Sequence, residues 1–430
     1  MKKILFASTA LVAVGLMGAD AAQAADPIKL SVGGFSRWWV VGAEQSSSYS
    51  DALNAIAGGR GAAGRTNTAG IKGDNEIHFQ GSTALDNGLK VGVFVSLEAG
   101  GHTDQTTDLI DSSYAWVEGG FGKVFVGTLK NGAALLHVSA PDAAGNFSEG
   151  GMATGNYTIT KPGAVMGMNQ RAGYSSSTNT TAIITDNKAE KITYVTPVFA
   201  GLTLGATYVP TAVSEDNRAQ GTARAQAYGV GAGYTRTIGP VGLKLSAGAV
   251  QTQLSAGETF TQYSGGTQLS YAGFTLGGSY QLARDAIAKS GNVANGVGGF
   301  NGITNGTNGV VNLTTNNPLG NTKFDFGGQA YDVGLQYATG PYAISFAYFH
   351  SETKGAKADT SALYRDHGDD TIDFYQASGK YSLSAGIDLL ASVGYAAYES
   401  GLYDRTPAGA TKDALKNDGY YGMTGLSLKF

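Results

Sequence analysis

Cysteine is absent from the 430-residue chain. No disulfide framework, cysteine-rich zinc site or thiol nucleophile can therefore be built. Charge is scarce: Asp, Glu, Lys and Arg make up 14% of the residues, well below the roughly 25% of an ordinary soluble domain. The formal net charge is −4, which argues against the basic stripe that a nucleic-acid partner requires. Proline is limited to 9 residues while aromatics reach 10%, unlike disordered chains, which are charge-rich and aromatic-poor. Glycine is plentiful at 65 residues, but it follows no Gly-X-Y period, so collagen is excluded.

Long apolar runs are also missing, apart from one at the start. Lys2 and Lys3 precede a mostly apolar run from Ile4 to Gly18, and Ala22-Gln23-Ala24 has the small-x-small form of a cleavage site. Residues 1–24 therefore read as a signal peptide that is removed on export, leaving 25–430 as one β domain. The run is shorter than the ~20 residues of a spanning helix. Ile192 to Ser214 is uncharged, but Pro197 and Pro210 interrupt it and its apolar residues alternate with Thr and Gly. That pattern is two strands and a turn.

The dominant period of the chain is two. Leu89, Val91, Val93, Val95 and Leu97 share one face, and Lys90, Gly92, Phe94, Ser96 and Glu98 share the other. Such alternation specifies strands with one apolar and one mostly polar face. It recurs to the final residues, Tyr420, Gly422, Thr424, Leu426, Leu428 and Phe430. Sixteen strands are predicted, near 28–41, 74–85, 89–98, 110–118, 123–129, 189–197, 202–209, 225–236, 241–252, 262–271, 274–282, 328–337, 342–351, 370–381, 386–398 and 418–430.

Short and long connections alternate between these strands. The long ones fall near 42–73, 99–109, 130–188, 210–224, 253–261, 283–327, 352–369 and 399–417. A sandwich has no reason to collect its long loops at one end, and a solenoid would show a fixed repeat. A transmembrane barrel has an even strand number, short periplasmic turns, long outer loops and an apolar outer face. The chain is accordingly read as all-β, a sixteen-stranded antiparallel transmembrane β-barrel. Tyr208, Tyr234, Tyr280, Tyr337, Tyr342, Tyr395 and Tyr420 stand near strand ends, where aromatic girdles are expected. At about sixteen strands a barrel leaves an aqueous channel, and the inward Gly, Ser, Thr, Gln and charges suit water. The residues thus point to a hollow exported barrel that passes small hydrophilic solutes and ions.

Three stretches carry a family resemblance: STALDNGLKVGVFVSLE at 82–98, GGFGKVFVGT at 119–128 and KITYVTPVFAGLTLGATY at 191–208. In this order, and with the terminal Phe430, the chain resembles the general diffusion porins of Gram-negative outer membranes. The resemblance implies a homotrimer in contact with outer-membrane lipid and lipopolysaccharide. It also implies a third outer loop folded into the lumen, with acidic loop residues facing basic wall residues across a constriction. On this chain that loop is 130–188, with Asp142 and Glu149 as acidic candidates and Lys161 and Arg171 as offsetting cations. Arg37 and Lys191 are candidate wall cations, and His78 and Glu98 also face inward. Charged side chains that line a pore set its selectivity. Two departures stand out: Thr128 follows Gly127 where the family often carries Arg, and the 130–188 connection is unusually long.

No G-x-S-x-G, H-E-x-x-H or P-loop is present, so no enzyme, metal or cofactor is expected. A substrate-specific channel for sugars or anions is the alternative function. It would need a ladder of inward aromatics or a dense single-sign track, and inward aromatics such as Phe94 and Phe125 look few. An anchor with a blocked lumen is a third reading. The Gly/Asn-rich stretch at 285–321 cannot bury a core and reads as a flexible outer loop.

Overall fold

The structure is a computed structural model that describes residues 27–56, 68–99, 110–145, 159–165, 167, 180–185, 189–210, 224–254, 259–284, 287–289, 322–325, 327–354, 357–358 and 368–430. The expected leader at 1–24 and most of the 285–321 stretch lie outside the described residues.

Sixteen strands close into one antiparallel barrel. They are β1 (Lys29–Gln45), β2 (Ala69–Ala84), β3 (Lys90–Glu98), β4 (Ile110–Gly119), β5 (Gly122–Thr128) and β6 (Lys191–Val195). β7 (Leu202–Val209), β8 (Arg224–Ile238), β9 (Val241–Leu254), β10 (Thr259–Tyr271) and β11 (Phe274–Arg284) follow. β12 (Gly328–Thr339), β13 (Tyr342–Thr353), β14 (Asp370–Ser384), β15 (Ile387–Glu399) and β16 (Lys416–Lys429) complete it. Each strand pairs with its neighbours in sequence. β16 returns to β1 in a register running from Phe35↔Lys429 to Gln45↔Gly419. Gly34 and Phe430 exchange backbone hydrogen bonds of 2.9 and 3.2 Å at this seam. Hydrocarbon offers no partner to an open strand edge, so this closure is what a membrane requires.

Parity along each strand sorts the side chains. On β12, Tyr331, Val333 and Leu335 are exposed outward, while Ala330, Asp332 and Gly334 turn inward. The outer surface carries two aromatic belts. Tyr271, Phe274, Tyr342, Tyr381 and Phe430 lie at the short-turn end, and Tyr228, Tyr263, Tyr280, Tyr331 and Tyr420 at the long-loop end. Tyr342 and Tyr381 stack at 4.9 Å across β13 and β14. The short turn at Ala272-Gly273 has both residues at positive φ, 50° and 86°, the twist that a two-residue hairpin needs.

The predicted strands and the observed ones coincide within a few residues. β9 and β10 extend beyond their predicted ends, so the expected long connection at 253–261 shrinks to 255–258. At the other long loops, a helix at Ser47–Ile56 packs against one at Ala410–Asp413. Short strands at Ile287–Lys289, Thr322–Asp325 and Lys357–Ala358 form a separate small sheet.

One expectation about the interior is corrected. Inward aromatics are not few. Trp39, Phe349, Phe374, Tyr398, Tyr421 and Met423 all face inward from β1 and β13–β16 and are buried. Ala140, Ala144, Ile159 and Val165 from the 129–190 connection cover them. A lumen wall stays apolar where another part of the chain excludes water from it.

The outer band yields a prediction. Val333 and Leu335 sit between Tyr331 and Tyr337 on the outer face of β12, at mid-height. Val333→Arg is expected to destabilise the barrel by about 2–4 kcal/mol in lipid vesicles. The inward Gln336→Arg should stay within about 1 kcal/mol, as for a solvated site. Denaturant titration of both variants checks the assignment of faces.

Candidate functional site

The connection from β5 to β6 enters the barrel. Its segment from Leu129 to Gly145 lies against the inner wall of β7–β14. The wall admits it by leaving out side chains. Gly205, Gly231, Gly248, Gly266 and Gly334 face it from successive parts of the sheet. A Cβ at Gly231 would stand 2.5 Å from the Gly132 carbonyl oxygen, and one at Gly334 would stand 3.0 Å from that of Pro141. A Cβ at Gly266 would overlap the Val138 carbonyl. Backbone therefore packs on backbone along this wall.

Wall side chains satisfy the segment's own amides. Gly132 N–H donates to Thr207 Oγ1 at 2.8 Å, Val138 N–H to Ser246 Oγ at 2.9 Å and Ala143 N–H to Ser345 Oγ at 2.8 Å. Gln268 Nε2 donates to the Ser139 carbonyl at 2.7 Å. Asn131 caps the short helix Gly132–Leu135, accepting from Ala134 N–H at 3.0 Å. Its amide donates to the Ile183 carbonyl at 2.7 Å, tying the outgoing segment to the returning one.

Asp332 on β12 is the central latch. Its carboxylate accepts from Ala140 N–H at 2.9 Å, Ser279 Oγ at 2.8 Å and Thr181 Oγ1 at 3.1 Å. Thr181 also meets His137 Nε2 at 2.9 Å. Burial lowers the His137 pKa to about 4, so the ring is neutral in the folded loop at pH 7. A second tether holds 159–165. Gln45 Oε1 accepts from Thr160 N–H at 2.9 Å and from Asn417 Nδ2 at 2.7 Å.

The six site residues expected from the sequence fall into three groups. Arg37, His78 and Glu98 come together on the inner wall of β1–β3. Arg37 Nη1 is 3.4 Å from Asp74 Oδ2, and His78 Nε2 is 2.8 Å from Glu76 Oε2. Glu98 stands opposite Glu76 in the ladder. One carboxylate oxygen from each of Asp74, Glu76 and Glu98 lies within 4.8 Å of the others, a set of hard oxygen ligands. Asp142 and Lys191 form a second group, placed inward but engaged locally. Asp142 accepts from Ser345 Oγ at 3.0 Å and Gln376 Nε2 at 3.4 Å on the β13–β14 wall. Lys191 is 2% exposed, opposite Gly127, and donates to the Ala189 carbonyl. Glu149 lies outside the described residues, as does the offsetting Arg171. Lys161 donates to the Val165 carbonyl at 2.5 Å, and burial lowers its pKa to about 8.

Sequence reasoning passed over Asp74, Glu118, Lys123, Tyr114 and Trp116 as lumen residues. Lys123 is two positions from the inward Phe125 and Asp74 four from the inward His78, while Tyr114, Trp116 and Glu118 share one face of β4. The missing information was which inward residues stay uncovered. Lys123 Nζ is 3.3 Å from Glu118 and 3.7 Å from the Trp116 ring centroid. A recess of about 390 Å³ lies at the short-turn side of the loop, lined by Asp142, Lys244, Gln268 and Gln336 among others.

A closed barrel with a lipid-type outer band and an anchored segment inside its lumen defines a transmembrane channel protein. A family model described as Gram-negative porin matches residues 7–401. The chain belongs to the Gram-negative porins, which are outer-membrane channels for passive diffusion. Solved structures agree in fold. The anion-selective porin from Comamonas acidovorans is 17% identical, with a TM-score of 0.55 over 94% of this chain and 100% of that one. The outer membrane channel DcaP of Acinetobacter baumannii is 13% identical, with a TM-score of 0.53 over 94% of this chain and 97% of that one. A loop L8 deletion mutant of OmpT from Vibrio cholerae is 13% identical, with a TM-score of 0.51 over 94% of this chain and 100% of that one. No curated protein sequence matches the chain.

Two predictions follow from the latch. Asp332→Ala leaves the buried Ala140 N–H unpaired and should weaken loop docking by about 1–3 kcal/mol. Protease cleavage within 129–189 should accelerate several-fold while the barrel stays intact. The second concerns acid. The folded pKa of His137 lies below that of a free histidine, so the undocked loop binds the extra proton. Relative to a His137→Asn variant, docking of the native loop should therefore be strongest above about pH 6.5 and weaken as pH falls toward 4. Protease protection of the two proteins, compared across that range, checks it.

Proposed function

We propose that this porin forms a homotrimeric pore in which the 130–188 loop narrows each lumen and wall charges filter the solutes. Residues 1–24 serve as the export signal. The outer aromatic belts meet membrane lipid and, at the long-loop end, lipopolysaccharide. The trimer follows from family resemblance. The loop's role is supported by its anchorage to glycines and hydroxyls of the inner wall.

The filter is assigned to the partly exposed wall of β1–β4, where Arg37, His78 and Glu98 stand. Asp74, Glu76 and Glu98 cluster there beside Arg37, while Glu118 is paired with Lys123 and stands opposite Lys90. These side chains are a fifth to nearly half exposed where their pairs are measured. Asp142 and Lys191 act through loop position, because their charges are met locally. The cluster of three carboxylates is the observation that carries the reading, and it points to a modest preference for cations.

The test is the reversal potential of the purified protein in a planar bilayer under a KCl gradient. Cation preference is expected, decreasing several-fold in Asp74→Asn/Glu76→Gln/Glu98→Gln. A triple variant with unchanged selectivity would place the filter elsewhere. Raising the salt should weaken the preference as the fixed charges are screened.

A further inference from the structure

Five successive strands each contribute one ring to a row on the inner wall. Phe35, His78, Phe94, Tyr114 and Phe125 form a continuous row from β1 to β5. Neighbouring ring centroids are 6.0, 5.2, 5.1 and 5.6 Å apart. Phe94 and Tyr114 are stacked with 21° between their planes. Beside them the Trp116 indole lies across Gly92, where any Cβ would overlap it.

The exposure of this row sets it apart. Inward rings on β13–β16 are shut away from water, with Phe349 and Phe374 at 0% and Tyr398 at 1%. The chain's own loop covers those. Every ring of the β1–β5 row is left partly exposed. Apolar surface facing water gains free energy when a ligand covers it.

The flanking charges narrow the ligand. Arg37 lies 4.8 Å over the Phe35 ring, and Lys123 covers Trp116 and Phe125 at 3.7 and 5.2 Å. The cation-seeking ring faces at both ends are thus occupied by the protein's own side chains. Asp74 and Glu118 are paired with those same cations. The clustered carboxylates of Asp74, Glu76 and Glu98 repel anions. What the row offers is the partly exposed rings of Phe94 and Tyr114, bordered by groups that accept and donate hydrogen bonds. A neutral sugar ring matches this pattern. Its C–H face stacks on the rings, and its hydroxyls reach the carboxylates and the cations.

We propose that the row is a track for neutral sugar rings, which would make this pore favour linear oligosaccharides over other solutes of the same size. The inference rests on the open-pore reading above. The test is single-channel recording of the intact protein in symmetric KCl with added maltohexaose. Saturable, concentration-dependent blockade is expected, whereas sorbitol at equal hydroxyl concentration should give none. Phe94→Leu/Tyr114→Leu should weaken the blockade at least tenfold while channel steps persist, and Tyr114→Phe should retain it. Phe94→Leu alone gives a second, independent loss should the double variant fail to insert. Channel steps without saturable blockade, or equal blockade of the leucine variants, overturn the track and leave the pore standing. Blockade by benzoate or benzyltrimethylammonium, but not by maltohexaose, overturns the sugar assignment. Absence of steps from the folded protein overturns the pore itself.

Discussion

The barrel depends on one requirement: no backbone N–H or C=O may face hydrocarbon without a partner. Strand pairing meets it everywhere except at the first and last strands. The β1–β16 seam removes that exception, and the Gly34–Phe430 exchange finishes it at the chain's end. Once the sheet is closed, parity sends alternate side chains to lipid and to the lumen. The tyrosine belts, the valine and leucine band between them and the inward charges all follow from that single closure.

The lumen loop obeys the same rule in a different medium. A connection that leaves the strand ladder and enters the barrel must find new partners for its amides. Here the wall supplies them as hydroxyls and as the Asp332 carboxylate, while a run of glycines lets the two backbones approach. The loop is thereby tied to the wall at β7, β9, β12 and β13, and again at Gln45 and Asn417. Its acidic residue Asp142 is held against the wall by Ser345 and Gln376.

The consequence is an asymmetric interior. On β13–β16 and β1 the loop buries large apolar side chains and forms a miniature core. On the β1–β5 wall the charges and the aromatic row stay partly exposed to the lumen. Filtering and solute binding are assigned to the same wall for that reason. Side chains that are covered neither sense ions nor touch solutes.

Strand number, connection lengths and the lipid-facing residues were legible in the sequence, because a period of two is imposed locally by the pleat. Leu89 to Leu97 declares its outer face without reference to any other strand. The inward parity of Arg37, His78 and Glu98 was legible on the same ground. Their meeting with Asp74 and Glu76 was not, since it depends on the β1–β2–β3 register. Nor was the difference between Phe94, partly open, and Phe374, buried, although both are inward aromatics on strands. The sequence by itself determined the barrel, its polarity and its two faces, all of which are short-range patterns. Only the tertiary structure decided which part of the inner face meets water, because that depends on where a distant loop lies.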